Sequence, residues 1–230
     1  MRVDQVPVAF DAAARGYDGL VGMNPGYHRD LRQAAARLRI PDRGRGARLL
    51  DLGCGTGAST AALLSVAPEA EITGVDASAG MIARARAKDW PESVRFVNAR
   101  AEDLAEEGPF DGILAAYLVR NLAEPDPVLR SVFDLLKPGA AFVAHDYSVR
   151  DSWAGAAVWT AVCWSVIIPA GAVVTRDPKL YTYLWRSALR FDGAGRFRDR
   201  LRRTGFTAVS STTAGGWQRG VAHTFRGVRA

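Results

Sequence analysis

Cysteine, histidine and lysine are scarce in this chain. Cys54 and Cys163 are the only cysteines. Two thiols so far apart offer neither a disulfide framework nor metal-ligand spacing, and they suit a reducing compartment. The three histidines, His28, His145 and His223, are equally scattered. No Pro/Gly/Ser-rich linker and no internal repeat divides the sequence. Met1-Arg2-Val3-Asp4-Gln5 lacks the charged and apolar regions of a signal peptide. What remains is one domain over 230 residues, long enough for a substantial core, and expected in the cytoplasm.

Lysine is limited to Lys88, Lys137 and Lys179, so the formal charge of +6 rests on arginine. Basic charge can signal nucleic acid, but these arginines are spread along the chain. Their one cluster, Arg196, Arg198, Arg200, Arg202 and Arg203, reads as the solvated face of a helix, with an anionic lipid surface and RNA as further readings. No RNA-binding module is appended, and no nucleic-acid partner is expected.

The informative stretch is Leu49-Leu50-Asp51-Leu52-Gly53-Cys54-Gly55-Thr56-Gly57. It reads as a buried strand entering a glycine-rich turn that opens a helix. Glycine lets the backbone approach a ligand and adopt conformations that a side chain forbids. A dinucleotide would place its pyrophosphate at such a turn, and Gly53-x-Gly55-x-x-Ala58 fits the looser dinucleotide pattern. Asp51, just before the turn, would oppose that anion and suit an ammonium group. S-adenosylmethionine carries an ammonium and no phosphate. Asp76 ends the next strand about 20 residues past the glycines, where an acid holds ribose hydroxyls. The pair of acids therefore favours S-adenosylmethionine.

Strand and helix signals alternate, which argues for a parallel sheet covered by helices on both faces. Strands are expected near 47–53, 70–76, 94–99, 110–117 and 140–147, with helices near 58–66, 78–88 and 125–136. Lys137-Pro138-Gly139 reads as the stop and cap of the last of these. A helix near 194–204 precedes two strands, Phe206 to Thr213 and Val221 to Phe225, expected to form an antiparallel hairpin at a sheet edge. Ligands of such sheets bind at the carboxyl ends of the strands. There lie Asp51, Asp76, Arg100-Ala101-Glu102, Tyr117 to Asn121 and His145-Asp146-Tyr147.

With these features the chain resembles the class I S-adenosylmethionine-dependent methyltransferases, and among them the ubiquinone/menaquinone biosynthesis C-methyltransferase family. The resemblance covers nearly the whole chain. It is carried by Phe10-x6-Tyr17-Asp18-x9-His28, by Phe110-Asp111 with Val119-Arg120-Asn121-Leu122, and by Leu136-Lys137-Pro138-Gly139. Ile168-Pro169-Ala170-Gly171, Tyr181-x-Tyr183-Leu184, Phe191, Gly205-Phe206 and Gly220-Val221-Ala222 add to it. It implies a Rossmann-like α/β fold with a seven-stranded, mostly parallel sheet whose last strand is antiparallel. Residues 1–45 would form cap helices, and 151–190 an apolar lid insertion. It implies cofactor contacts at Gly53, Gly55, Gly57, Asp76 and Ala101-Glu102, with Tyr17 closing over the ligand. Ala77, Met81 and Tyr117 complete the expected cofactor set. His145 stands where the family pattern has an aliphatic residue before the acid, Asp146.

Trp153 to Val174 is an almost uncharged run long enough to cross a membrane. Pro169 and the small residues after it interrupt its end. It can be read as a span, as a buried core helix, or as a lid over an apolar substrate that touches a membrane surface. Trp153, Trp159 and Trp164 favour the lid, because indoles suit apolar pockets and interfaces.

Arg120 and Asn121 are expected to anchor a substrate oxygen. Methylating a ring carbon of a quinol needs electron density, which an ionised hydroxyl supplies and a permanently protonated guanidinium would stabilise. The bland alternative pairs Arg120 with Glu124 or Asp126. His145 is the candidate general base, with a structural role as its alternative. His28, Tyr147 and Trp164 are candidate substrate contacts. The expected reaction is a single in-line methyl transfer to a nucleophile about 3–3.5 Å away. The favoured acceptor is a ring carbon of an apolar phenol or quinol, with or without a prenyl chain. The alternatives are O- or N-methylation of a soluble metabolite, RNA methylation, and a non-catalytic cofactor-binding protein. A homodimer is also open.

Overall fold

The computed structural model describes residues 5–22, 24, 26–103, 108–175 and 178–230; the side chains of 12, 13, 15–18, 20, 21 and 175 lie outside that description. Seven strands form one sheet in the order β3-β2-β1-β4-β5-β7-β6. They are β1 (Arg48–Leu52), β2 (Glu71–Asp76), β3 (Val94–Asn98), β4 (Phe110–Ala116), β5 (Leu136–Tyr147), β6 (Thr207–Thr213) and β7 (Ala222–Val228). β1 pairs in parallel with β2 and β4, and β4 with β5. β7 runs antiparallel to both β5 and β6, so it alone opposes the rest. The expected terminal hairpin is present, with its second strand inserted between β5 and the edge.

The central strands are apolar on both faces because both are covered. Leu50, Leu52, Ile113, Ala115, Phe142 and Ala144 face α5 (Pro125–Leu135) and α9 (Ala194–Thr204). The alternate residues Leu49, Ile72, Leu114, Ala116 and Val143 face α2 (Tyr27–Ala36) and α3 (Ala58–Val66). Phe197 is fully buried between Phe191 and Phe225 and locks α9 onto the sheet. α1 (Val6–Gly22) crosses α4 (Ala79–Arg86) at the carboxyl edge. α4 starts at Ser78, whose hydroxyl accepts the Met81 N–H.

Two expectations need correction. The helix over 125–135 ends before Lys137-Pro138-Gly139, and those residues belong to β5. Gly139, with φ of 80°, serves a register shift in which Phe110 pairs with Leu136 but Gly112 with Ala141. It is a bulge residue, not a helix cap.

The apolar run is helical throughout, and Pro169 does not end it. α6 (Trp153–Val162) passes through a π-helical turn (Cys163–Ile167) into α7 (Ile168–Thr175). The extra residue of the π turn resets the facing, so that Gly155, Trp159, Cys163, Ile168 and Gly171 are the buried positions. They sit against α8 (Lys179–Arg190) and Val221. Only those five positions of the run are buried, so it is not a core helix. A membrane span would strip Trp159 and Cys163 from the domain. Replacing Phe197 by alanine should cost about 3–5 kcal/mol in urea denaturation; a loss below about 1 kcal/mol would contradict its keystone position.

Candidate active site

The cavity forms where β1 and β4 leave the sheet in opposite winding directions, the ligand position of open α/β sheets. The turn after β1 is held by Val75, whose carbonyl accepts the N–H groups of Gly53 (2.8 Å) and Cys54 (3.0 Å). Gly55, at φ of 55°, has no atom within 4 Å of where a Cβ would stand, so its backbone is open to a ligand. Asp76 accepts the Gly55 N–H (2.9 Å) on one oxygen and the Ser78 N–H (2.8 Å) on the other. Burial raises its pKa, and those two donors oppose the rise. Asp11 of α1 accepts from the Ser78 hydroxyl and the Gly80 N–H, so α1 is tied across the cavity mouth with Val6, Pro7 and Phe10 along its wall.

Asp51 departs from its expected position. Its carboxylate lies beneath the turn, fully buried, and accepts the hydroxyls of Ser59 (2.7 Å) and Thr60 (2.6 Å). It fastens the start of α3 to β1 and does not line the cavity. Desolvation pushes its pKa up to about 7, against the pull of Thr60 and Ser59 and with a further push from Asp76. Gly57 is also off the cavity wall. At φ of 92°, it is glycine because a Cβ would meet the Trp90 ring at 2.7 Å.

The opposite wall is a turn at the end of β4. Tyr117 is held at φ of 56°, a conformation a tyrosine keeps only where its surroundings impose it. Its N–H donates to the His145 carbonyl (2.7 Å), and its carbonyl accepts from Arg120 Nη1 (2.9 Å) and Asn121 Nδ2 (3.0 Å). Arg120 forms a buried ion pair with Asp146, the two side chains 3% and 1% exposed. It also lies over the Tyr117 and Tyr147 rings. Its partner is thus neither Glu124 nor Asp126, and it does not line the cofactor-side cavity. Arg120 clamps the turn, and it borders a second cleft rather than the cofactor-side cavity. Truncating it would leave the Asp146 carboxylate buried without its counter-ion, a loss of stability before any loss of chemistry.

His145 is likewise withdrawn. It is 1% exposed, with Nε2 bonded to the Tyr117 hydroxyl (3.1 Å) and Nδ1 to Thr224 (2.8 Å). Burial drives its pKa down to about 4, with help from His223 and Arg120. It is a neutral imidazole with both nitrogens engaged behind Tyr117, the arrangement of the structural alternative. Desolvation holds the Tyr117 phenol well above its ordinary value.

Of the expected residues, one cavity brings together Gly53, Gly55, Asp76, Ala77, Met81, Ala101, Glu102, Tyr117 and Asn121. His28 is exposed and meets Tyr27 edge-on. Tyr147 packs between Tyr117 and Trp159. Trp164 is half exposed against Trp185. None of these three lines the cavity. Tyr17 lies on α1, with its side chain outside the described residues. Leu118, inside the expected Tyr117 to Asn121 edge, is on the wall, and sequence reasoning missed Tyr27 and Leu122 there. Tyr27 stacks on Tyr117 at 5.6 Å, a contact that no spacing in the sequence announces. Leu122 directly follows the Arg120-Asn121 pair and could have been found from it. Asn121 Oδ1 is buried with no hydrogen-bond partner among the described residues.

The Asp51 pKa carries a pH signature. Because it lies above that of an unfolded aspartate, the folded state holds this proton more tightly. The contribution to stability is full below about pH 4 and is lost as pH rises through about 7. In urea denaturation of the ligand-free protein, Asp51→Asn should therefore gain on the wild type as pH rises from about 4 to about 8. A stability difference independent of pH would contradict the buried, unpaired setting of this carboxylate.

Relatives and solved structures place the chain in a known family and fold. The chain is 33% identical over 215 residues to the ubiquinone/menaquinone biosynthesis C-methyltransferase UbiE of Methylobacterium nodulans, covering 91% of this chain and 84% of that protein. It is 30% identical over 218 residues to the demethylmenaquinone methyltransferase of Lactococcus lactis, covering 93% and 86%. A chain of the complex between the Haloferax volcanii Trm112 methyltransferase activator and a methyltransferase superposes with a TM-score of 0.70 at 18% identity, covering 96% of this chain and 97% of that one. The model of the ubiE/COQ5 methyltransferase family matches residues 1–229. The chain belongs to that family and is a class I S-adenosylmethionine-dependent methyltransferase.

Proposed function

We propose that this methyltransferase transfers its methyl group to a ring carbon of an apolar phenol or quinol, a quinone precursor of the kind that the names of its relatives specify. The observation that carries the reading is Asn121 Oδ1. It is a buried acceptor without a donor among the described residues, and Asn121 lines the cavity together with the stacked Tyr27 and Tyr117. A phenolic hydroxyl supplies the missing donor, and its ring matches an aromatic wall.

The cavity suits the cofactor. Each Asp76 oxygen takes one N–H and retains capacity for a ribose hydroxyl. Ala77, Met81 and Ala101 offer an apolar bed for the adenine, and the open backbone at Gly55 admits close approach. When bound, S-adenosylmethionine would supply an electrophilic methyl and leave as S-adenosylhomocysteine, and the proton of the methylated ring carbon would be lost to water as the product rearomatises. The protein's own task is placement and exclusion of water. Asn121, pinned through Nδ2 to the Tyr117 carbonyl, presents Oδ1 in a fixed direction. A ring hydroxyl donating to it gains electron density at the neighbouring ring carbons. Arg120 and Asp146 hold that turn rigid without touching the acceptor. On this basis the protein works in the cytoplasm on acceptors that partition into membranes.

The test is transfer of labelled methyl from S-adenosylmethionine to reduced demethylated prenyl quinols in detergent, with the product located by NMR. A new ring-carbon methyl is expected, and Asn121→Ala should lower kcat/KM by about 10- to 100-fold while cofactor affinity stays nearly unchanged. Methyl placed on oxygen, or full activity of Asn121→Ala, would overturn the proposal.

A further inference from the structure

The helical run from Trp153 to Val174 keeps one face in the domain and turns the other outward with no charge on it. Trp153 is 87% exposed, Val173 80%, Val166 58% and Trp164 54%. Large contiguous apolar patches of this kind on a soluble domain mark an interaction surface. Indoles at such a surface favour a membrane interface, where the ring is buried and the N–H stays wet.

α8 lies directly alongside. Gly171 of α7 packs so closely on it that a Cβ would fall 2.2 Å from the Tyr181 ring, and Trp164 meets Trp185 edge-on. The residue after Trp185 begins a different surface. Lys179, Tyr183, Arg186 and Arg190 recur at helical spacing and line one open cleft between α8 and the Arg120–Leu122 turn. Arg186 and Arg190 are exposed and have no ion-pair partner among the described residues. The acid in the cleft, Asp192, is already held by Arg196 and Arg200. Of the other arginines in the α9 cluster, Arg202 pairs with Asp199 and Arg198 donates to Ser211, while Arg203 is exposed. Arg186 and Arg190 thus place exposed positive charge next to the uncharged apolar face.

We propose that α6, α7 and α8 form a docking surface for an anionic lipid bilayer. The outward face of Trp153–Val174 lies flat in the interfacial layer. The exposed Arg186 and Arg190 of the cleft take lipid phosphate groups. An apolar helix face beside basic side chains is the composition that binds such a surface, and neither half alone gives stable attachment. Trp159, Cys163 and Ile168 remain in the domain, so the helix rests on the bilayer and does not cross it. Leu122 lines both this cleft and the cofactor-side cavity, which places the docking surface next to the route by which a lipid-soluble acceptor would enter.

The proposal stands independently of the acceptor, because its test measures binding and no turnover. Purified protein is floated with vesicles of phosphatidylglycerol or of phosphatidylcholine, at low and high salt. Partition onto phosphatidylglycerol, weakened by salt and accompanied by a blue shift of tryptophan emission, is expected. Arg186→Glu with Arg190→Glu should lower that partition at least about tenfold. Trp164→Ser with Val173→Ser should lower it with the charges intact. Circular dichroism and the melting temperature establish that both variants are folded, and both pairs are surface residues outside the cofactor cavity. Three results would overturn the proposal. One is failure of the folded wild type to float with phosphatidylglycerol. Another is equal flotation of the charge-reversed variant. The third is a dimer in analytical ultracentrifugation that Trp164→Ser with Val173→Ser dissociates, which would assign the face to a second copy of the chain.

Discussion

Two backbone N–H groups, from Gly55 and Ser78, converge on the Asp76 carboxylate, and the shape of the cofactor side follows from that convergence. It fixes the glycine turn against the end of β2 and sets the start of α4. Through the bond from the Ser78 hydroxyl to Asp11 it also sets where α1 crosses the opening. A charge-assisted bond to each oxygen compensates much of the cost of burying the carboxylate. One acid thus organises three elements and still presents acceptor capacity to a ligand. Asp51 does complementary work from below. By taking the Ser59 and Thr60 hydroxyls it anchors the first turn of α3 to β1, and the glycine turn is strung between these two fixed points.

The opposite wall is held by a different economy of charge. Arg120 and Asp146 are both withdrawn from solvent and neutralise each other, while the guanidinium also braces the Tyr117 carbonyl and covers two tyrosine rings. Such a pair contributes little net stability compared with an apolar replacement, but breaking it is expensive. Its consequence here is a turn with one permitted geometry. Tyr117 stays at positive φ, its hydroxyl faces inward to His145, and Asn121, a cavity-lining residue, is left with one buried oxygen that has no donor among the described residues. Polar groups that look catalytic in the sequence are spent on rigidity. The proposed substrate contact therefore falls to the Asn121 amide.

Local patterns in the sequence carried the fold well. β1, α3, β2 and α9 fall within a residue or so of where apolar runs, glycines and capping residues place them, because each boundary is set by the residues at that boundary. The cofactor side was legible for the same reason: Gly53, Gly55 and Asp76 act through local backbone geometry. Contacts made across the sheet were not. Arg120 finds its partner at Asp146 and His145 finds Thr224 only because β4, β5 and β7 lie side by side. The spacing within Val119-Arg120-Asn121 cannot distinguish a guanidinium aimed at a ligand from one clamped behind it. Asp51 misled because Ser59 and Thr60, the hydroxyls that claim it, lie inside the following helix. Lys137-Pro138-Gly139 carries the composition of a helix stop, yet serves a strand bulge one residue later. In the apolar run, the π turn hid which residues faced inward, since a regular helical period puts Ile167 where Ile168 is buried.

The central claim is that Asp76 both builds the glycine turn and receives the cofactor. Calorimetric titration of S-adenosylhomocysteine into the wild type and into Asp76→Ala tests it most directly. The account predicts that the variant remains folded and that its Kd rises at least about tenfold. Equal affinity of the two proteins would contradict it.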